Sequence, residues 1–326
     1  MAIPAASPAW QQLLRSGLLR FCEPVACCSV SGVAVERLRP RCPGLFLSGA
    51  TPGPFYHSHP HVPAEFDHVD FAMSAQVHAN LTTIQKIGRA VGGYHDQLPF
   101  LSTAGGETDW LQRPQLLHWV SRNGHGYAAN KEVVEEVSPR SCAELGLTHA
   151  ETLGVVEVGD NVSDRRFLLE TFAMFALEGY PLHGRRQMLQ IDIQEELDPK
   201  FFMPYVPGYL VHGTADLALL SLTAAAGEAS APEDGKAQVR LLFEKLVGML
   251  QELGASFDDV IVGWARVPFL DEDEQAVLMT RSEMGLTRPL AESVLGLAPS
   301  DGLGTTLDGT PVRLEYIVLA QIPEST

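Results

Sequence analysis

The chain repeats itself, and a repeat limits the folds open to it more sharply than any single motif. Pro43-Gly44-Leu45-Phe46-Leu47-Ser48-Gly49 is echoed by Pro207-Gly208-Tyr209-Leu210-Val211-His212-Gly213, each an apolar, strand-like run closed by glycine. Each run is followed by a helix with a matching start: Gln76-Val77 through Gly92-Gly93, and Gln238-Val239 through Gly254-Ala255. In the second helix Leu241, Leu242, Leu246, Met249, Leu250 and Leu253 recur at three-and-four spacing, an apolar stripe suited to lie on a sheet. Asp259 to Val267 then predicts a strand and Asp273 to Met284 a helix. The first copy reaches its counterpart helix, expected over Asn130 to Val137, only after an insertion from Tyr94 to Tyr127.

Both copies finish alike. Ala150-Glu151-Thr152-Leu153-Gly154-Val155 matches Ala291-Glu292-Ser293-Val294-Leu295-Gly296, and the closing run Phe167 to Ala173 answers Val312 to Val318, so Glu170 and Glu315 hold the same place. The order strand, helix, strand, helix, strand, strand predicts an α/β (α+β) unit: a mixed sheet with helices on one face, because crossovers between parallel strands lay helices there. A chain of 326 residues is long enough for two such units. The join is expected near His183 to Leu197, giving an N-terminal domain over 1–184 and a C-terminal domain over 185–326.

A net charge of −17, with no run of Lys or Arg, repels phosphate backbones and anionic membranes, so neither nucleic acid nor membrane is an expected partner. Apolar stretches such as the one ending at Leu222 fall short of the roughly 20 residues that span a bilayer. Gln11, Gln12, Arg15 and Arg20 interrupt the apolar character that a secretion signal needs, and a cytoplasmic protein is expected. The five cysteines are an odd number without a CxxC pair, which reads as thiols, with a metal knuckle or a catalytic thiol as alternatives.

Gly254-Ala255-Ser256-Phe257-Asp258-Asp259-Val260, placed after a long helix and before a strand, carries a resemblance to a known family. With it, the second copy from Pro207 to Ala320 resembles a YjgF/RidA domain, and the first copy a more divergent version. The resemblance implies two tandem RidA/chorismate-mutase-like units and an enzyme that hydrolyses or deaminates an enamine, imine or related carbonyl-derived metabolite. Glu315 would position a water and move its proton, a task that suits a partly buried carboxylate. Glu170, Ser48 and Asn130 fall where the family places pocket residues. The family's carboxylate-binding arginine is replaced near Ala291 and Ala150, Ser48 is answered by His212, and the asparagine position falls near Leu278. One asymmetric pocket is therefore expected, with Glu315, His212 and Asn130 at its catalytic centre. Ser48, Glu170, Arg266, Arg281 and Arg288 would contact a small-molecule substrate. The resemblance also implies a homo-oligomer, with the trimer as the family's form.

Two other readings stand beside it. Chorismatases, which act on a cyclic carboxylate, are similar in layout and in the glutamate of the last strand; a non-catalytic binding or assembly module is the alternative from another class. His57, His59 and His61 alternate and could ligate a metal, but Pro52, Pro54, Pro60 and Pro63 mark a loop over the pocket mouth. The glycine-rich stretches 104–107 and 123–127 lack the lysine and the strand-to-helix setting of a phosphate loop, so no cofactor is expected.

Overall fold

The computed structural model describes residues 22–30, 33–40, 44–47, 49–52, 66–95, 114–147, 149–159, 165–176, 187–188, 208–211, 216–223, 232, 234–267, 270–286, 291–298, 303, 308–312 and 314–324. In chain order these form β1 (Cys22–Val30), β2 (Val33–Pro40), β3 (Gly44–Leu47), α1 (Met73–His95), β4 (Gln115–Ser121), α2 (Tyr127–Glu144), β5 (Glu151–Val158) and β6 (Leu169–Ala176). Then come β7 (Gln187–Met188), β8 (Gly208–Val211), β9 (Asp216–Thr223), α3 (Gly235–Glu252), β10 (Val260–Val267), α4 (Leu270–Glu283), β11 (Ala291–Gly296) and β12 (Glu315–Ile322).

Two six-stranded mixed sheets result, ordered β1-β2-β9-β12-β10-β11 and β7-β8-β3-β6-β4-β5. The orders correspond strand for strand, and in each the one parallel pair, β10 with β11 or β4 with β5, is bridged by a helix, α4 or α2. The sheets pack face to face. Phe46, Leu117, Trp119, Phe172 and Met174 of one share a buried cluster with Leu217, Leu219, Trp264, Ile317 and Leu319 of the other. On the outer faces, α1 and α2 cover one sheet through Val77, Leu81, Ile84, Val134 and Val137. Helices α3 and α4 cover the other through Val239, Leu242, Phe243, Leu246 and Val277. The layers are thus helices, sheet, sheet, helices. Strands buried on both faces, such as β10 and β12, account for the nearly continuous apolar runs Val260 to Ala265 and Tyr316 to Ala320.

The helix starts recognised from the sequence have a physical basis. Gln76 and Gln238 are fully buried. The amide nitrogen of Gln76 donates to the carbonyls of Phe71 (3.0 Å) and Arg166 (2.9 Å), and that of Gln238 to those of Pro232 (2.8 Å) and Pro311 (3.0 Å). Each glutamine thus ties the chain entering its helix to the chain entering the last strand. Asp234 caps α3 by accepting from Ala237 N at 2.9 Å. The Gly-Ala-Ser-x-Asp-Asp-Val motif closes that helix: Gly254 N donates to Gln251 O (3.0 Å) and Ala255 N to Leu250 O (2.7 Å), with Gly254 at φ 73°. Ser256 and Asp259 then cap the short turn Phe257–Asp259 that leads into β10.

Three expectations need correction. The stretch from Tyr94 to Tyr127 is not wholly an insertion, because β4, the counterpart of β10, lies inside it; its one-face alternation is masked by burial on both faces. The counterpart helix runs over Tyr127–Glu144, longer than Asn130 to Val137. Most consequentially, β8 does not match β3. The strand beside β12 is β9, as β3 is the strand beside β6, while β8 corresponds to β2.

That shift exposes how the halves are joined. β2 pairs not with β3 but with β9, and β8 not with β9 but with β3. Partner numbers change in step from Val33↔Leu222 through Leu38↔Leu217 and on from Gly44↔Val211 to Leu47↔Gly208, so one antiparallel register continues from sheet to sheet. Each half lends a hairpin, β1–β2 or β7–β8, to the other's sheet. Beside the crossing, Asp216 is fully buried and accepts from Arg39 Nε at 3.0 Å. Replacing Arg39 with Met leaves that carboxylate without its guanidinium and is expected to cost about 2 kcal/mol, below the fully buried case because Arg39 is part-exposed. Chemical denaturation would register the loss; a change under about 0.5 kcal/mol would show that the pair does not hold the crossing.

Candidate functional site

Strand alternation sets which polar side chains point between the sheets. Ile317 and Leu319 of β12 and Phe172 and Met174 of β6 belong to the inter-sheet core, so Glu315 and Glu170 at the starts of these strands face the same way. Both are buried, 1% and 2% exposed. Their equivalence in the sequence is thereby an equivalence of place. Their cross-strand partners differ: Glu315 is in register with Arg266 on β10, Glu170 with Trp119 on β4.

Arg266 Nη1 donates to Glu315 Oε2 at 2.7 Å, and Ser221 Oγ on β9 donates to Glu315 Oε1 at 2.8 Å. Arg266 is fully buried. Removing two such charges from water costs several kcal/mol each, repaid only when the pair is close and further hydrogen-bonded, as it is here. Both oxygens of Glu315 are engaged, one by each partner.

Glu170 sits where the sheets meet. A Cβ added to Gly49 would lie 1.6 Å from Glu170 Oε1 and 2.7 Å from Ser293 Oγ, which comes from β11 of the opposite sheet. Only glycine leaves room for that carboxylate. Ser293 is the register partner of Trp264, which packs edge-on against Phe172 at 4.9 Å. The buried indole Nε1 of Trp264 has no hydrogen-bond partner. Ser221, Ser293 and Trp264 were not singled out in the sequence; only strand register brings them beside the two glutamates.

The other expected site residues are placed as follows. Asn130 is buried, and its amide nitrogen donates to the carbonyls of Ser121 and Asn123, both at 2.8 Å, tying the end of β4 to the start of α2. Arg281 lies under α4 on the outer face of its sheet, paired with Glu292, which also accepts from Tyr316 Oη at 2.5 Å. Burial foremost, reinforced by Glu292, raises the Tyr316 hydroxyl well above its ordinary pKa. Arg281 and Tyr316 therefore face away from Glu315. Ser48, His212, Arg288, His57, His59 and His61 lie outside the described residues. Because Phe46 matches Leu219 by register, the serine after Leu47 corresponds to Ser221, not to His212. Among the described residues no cluster of His, Cys, Asp and Glu has metal-binding geometry, and no helix is long and apolar enough to cross a membrane.

A second polar cluster lies beneath α1. His118 Nδ1 is 3.1 Å from Thr171 Oγ1, which also accepts from Asn80 Nδ2 at 3.3 Å. Complete burial lowers the His118 pKa to about 4. The unfolded chain binds this proton near pH 6.5 and the folded chain near 4, so stability is full above pH 6.5 and falls as pH drops through that window. The loss should approach roughly 3 kcal/mol at pH 4. His118→Phe should flatten that part of the stability–pH curve in denaturant titrations, and an unaltered slope would exclude His118 as its source.

No family model matches the chain, and no curated protein matches it. Solved structures similar in fold do exist. Rv2704 of Mycobacterium tuberculosis, a member of the YjgF/YER057c/UK114 family, is 19% identical, with a TM-score of 0.24 over 42% of this chain and 99% of its own. NMB1025 of Neisseria meningitidis, of the YjgF family, is 12% identical, with a TM-score of 0.26 over 44% of this chain and all of its own. Protein YjgH is 23% identical, with a TM-score of 0.26 over 37% of this chain and 85% of its own. The solved structures this chain is similar to are YjgF/RidA/UK114 proteins, each matching about two fifths of it.

Proposed function

We propose that the chain is an enzyme that hydrolyses or deaminates a small imine, enamine or related carbonyl-derived metabolite between its two sheets. The observation that carries this reading is the inward-facing Glu315, held by Arg266 and Ser221 at the strand station that Glu170 occupies in the other sheet. A carboxylate there suits imine hydrolysis. Water adds its oxygen to the imine carbon, the carboxylate takes a proton from that water and passes it to the nitrogen, and the adduct collapses to a carbonyl compound and ammonia. Glu315 is the proton-moving group in this scheme; Glu170 belongs to the opposite sheet and Ser293 to the sheet of Glu315. The register partner of Glu315 is Arg266 and that of Glu170 is Trp119, which makes the centre asymmetric.

The test is ammonia release from amino-acid-derived imines generated in situ. Glu315→Gln is expected to lower turnover by about 100-fold or more, with circular dichroism unchanged. Glu170→Gln should act mainly on KM. Full activity in a folded Glu315→Gln protein would remove that residue from the chemistry. Absence of turnover in the parent protein, on imines and on chorismate alike, would leave a non-catalytic binding module.

A further inference from the structure

We infer that Asn123 is a site of spontaneous covalent modification: in the folded protein its side-chain amide is attacked by the following peptide nitrogen, leaving aspartate or isoaspartate. No reaction between the sheets is involved. Of the asparagines in the chain, Asn80, Asn123, Asn130 and Asn161, Asn123 alone precedes glycine. A glycine has no Cβ to obstruct the approach of its nitrogen to the neighbouring side chain. β4 ends at Ser121 and α2 begins at Tyr127, so Asn123 and Gly124 lie in the turn between them. Gly124 is exposed there, at φ 69°.

The fold shields the other described asparagines and leaves this one open. Asn80 and Asn130 are buried and lie inside α1 and α2, where the next peptide N–H is bonded within the helix. Their amide nitrogens are engaged as well, that of Asn80 by Leu169 O and Thr171 Oγ1, that of Asn130 by Ser121 O and Asn123 O. By contrast, among the described residues the Gly124 N–H makes no hydrogen bond. The Asn123 amide nitrogen meets Arg165 O at 3.5 Å on the surface, a length at which a hydrogen bond is weak. Asn123 N donates to Ser121 Oγ at 3.1 Å, and Asn123 O accepts from Asn130 at 2.8 Å. Both contacts hold the main chain of Asn123, and neither occupies the Gly124 nitrogen.

The reacting atoms belong to adjacent residues, so ring closure needs no encounter of separate molecules. The Gly124 nitrogen gives up its proton and bonds to Asn123 Cγ. The Cγ–Nδ2 bond breaks, and the departing nitrogen takes up a proton and leaves as ammonia. Water then opens the five-membered imide. Addition at Cγ restores the ordinary chain as aspartate; addition at the main-chain carbonyl routes the chain through Cβ and Cγ as isoaspartate. One water is consumed and one ammonia released. Isoaspartate lengthens the turn by one carbon and turns the carbonyl that accepts from Asn130 into a carboxylate. Because Asn130 also holds Ser121 O, the change loosens the tie between β4 and α2.

The full chain, incubated in mildly alkaline buffer both folded and unfolded in guanidinium chloride, is to be mapped by mass spectrometry, with enzymatic methylation labelling isoaspartyl carboxylates. Asn123 is expected to convert in the folded protein at a rate within about ten-fold of the unfolded chain, since a surface turn opens at little cost, while Asn80 and Asn130 stay intact. Conversion more than about ten-fold slower than in the unfolded chain, or conversion of Asn80 or Asn130 as fast as Asn123 in the folded protein, would overturn the inference. The modified fraction carries one more negative charge and separates on anion exchange. Asn123→Asp supplies that charge without the longer chain, so the isoaspartate fraction is expected to unfold in less denaturant than this variant. Equal midpoints would overturn the loosening of α2.

Discussion

The pairing of residues 33–38 with 217–222 in one sheet, and of residues 44–47 with 208–211 in the other in the same register, is the constraint on which the rest of the molecule depends. Backbone groups must be paired wherever they are buried, so two ladders that share one register, one in each sheet, hold the two sheets in one relative position. They also interlock the halves, since each sheet takes its two strands on one side from the other half of the sequence. The expected division at residue 184 therefore separates the two helical layers without separating the sheets. The price is one buried carboxylate at the crossing, Asp216, answered by Arg39.

With the sheets so held, the inward faces of the starts of β6 and β12 become the chemically loaded part of an otherwise apolar interior. Glu170, Glu315 and Arg266 are ionisable groups removed from water, and Ser221, Ser293 and Trp264 lie on the same strands or their neighbours. Such groups are expensive in a core, and an apolar core of the same shape would often be more stable. Their retention is intelligible if the site has to hold a charged ligand or move a proton. On the outer faces, Arg281, Glu292 and Tyr316 pair with one another, whereas Asn80 and His118 meet at Thr171 but leave Asn80 Oδ1 and His118 Nε2 buried without a hydrogen-bond partner.

Much of this is legible in the sequence, but the matching of β3 and the place of β4 are not. The paired glutamines, the glycine-terminated helix before Ser256 and the equivalence of Glu170 with Glu315 were legible because each depends on contacts within one half, where spacing along the chain maps onto position. β3 was matched to β8 because both are short apolar runs beginning at glycine, and similarity of composition cannot tell neighbouring strands of one sheet apart. β4 was concealed inside a supposed insertion because a strand buried on both faces loses its alternation. The false match made His212 the counterpart of Ser48 and hid Ser221, the residue that holds Glu315.

What the sequence determined by itself was the repeating order of strands and helices and the equivalence of Glu170 with Glu315. Both are written in local periodicity and in the matching of one half against the other. Tertiary structure alone decided that the halves exchange hairpins, that Glu315 is faced by Arg266 where Glu170 is faced by Trp119, and that Ser293 approaches Glu170 from the opposite sheet. These depend on strand register and on the packing of sheet against sheet. A shift of one residue in register turns every side chain to the other face, and strands buried on both faces, such as β4, β10 and β12, carry no alternation that records which register is adopted.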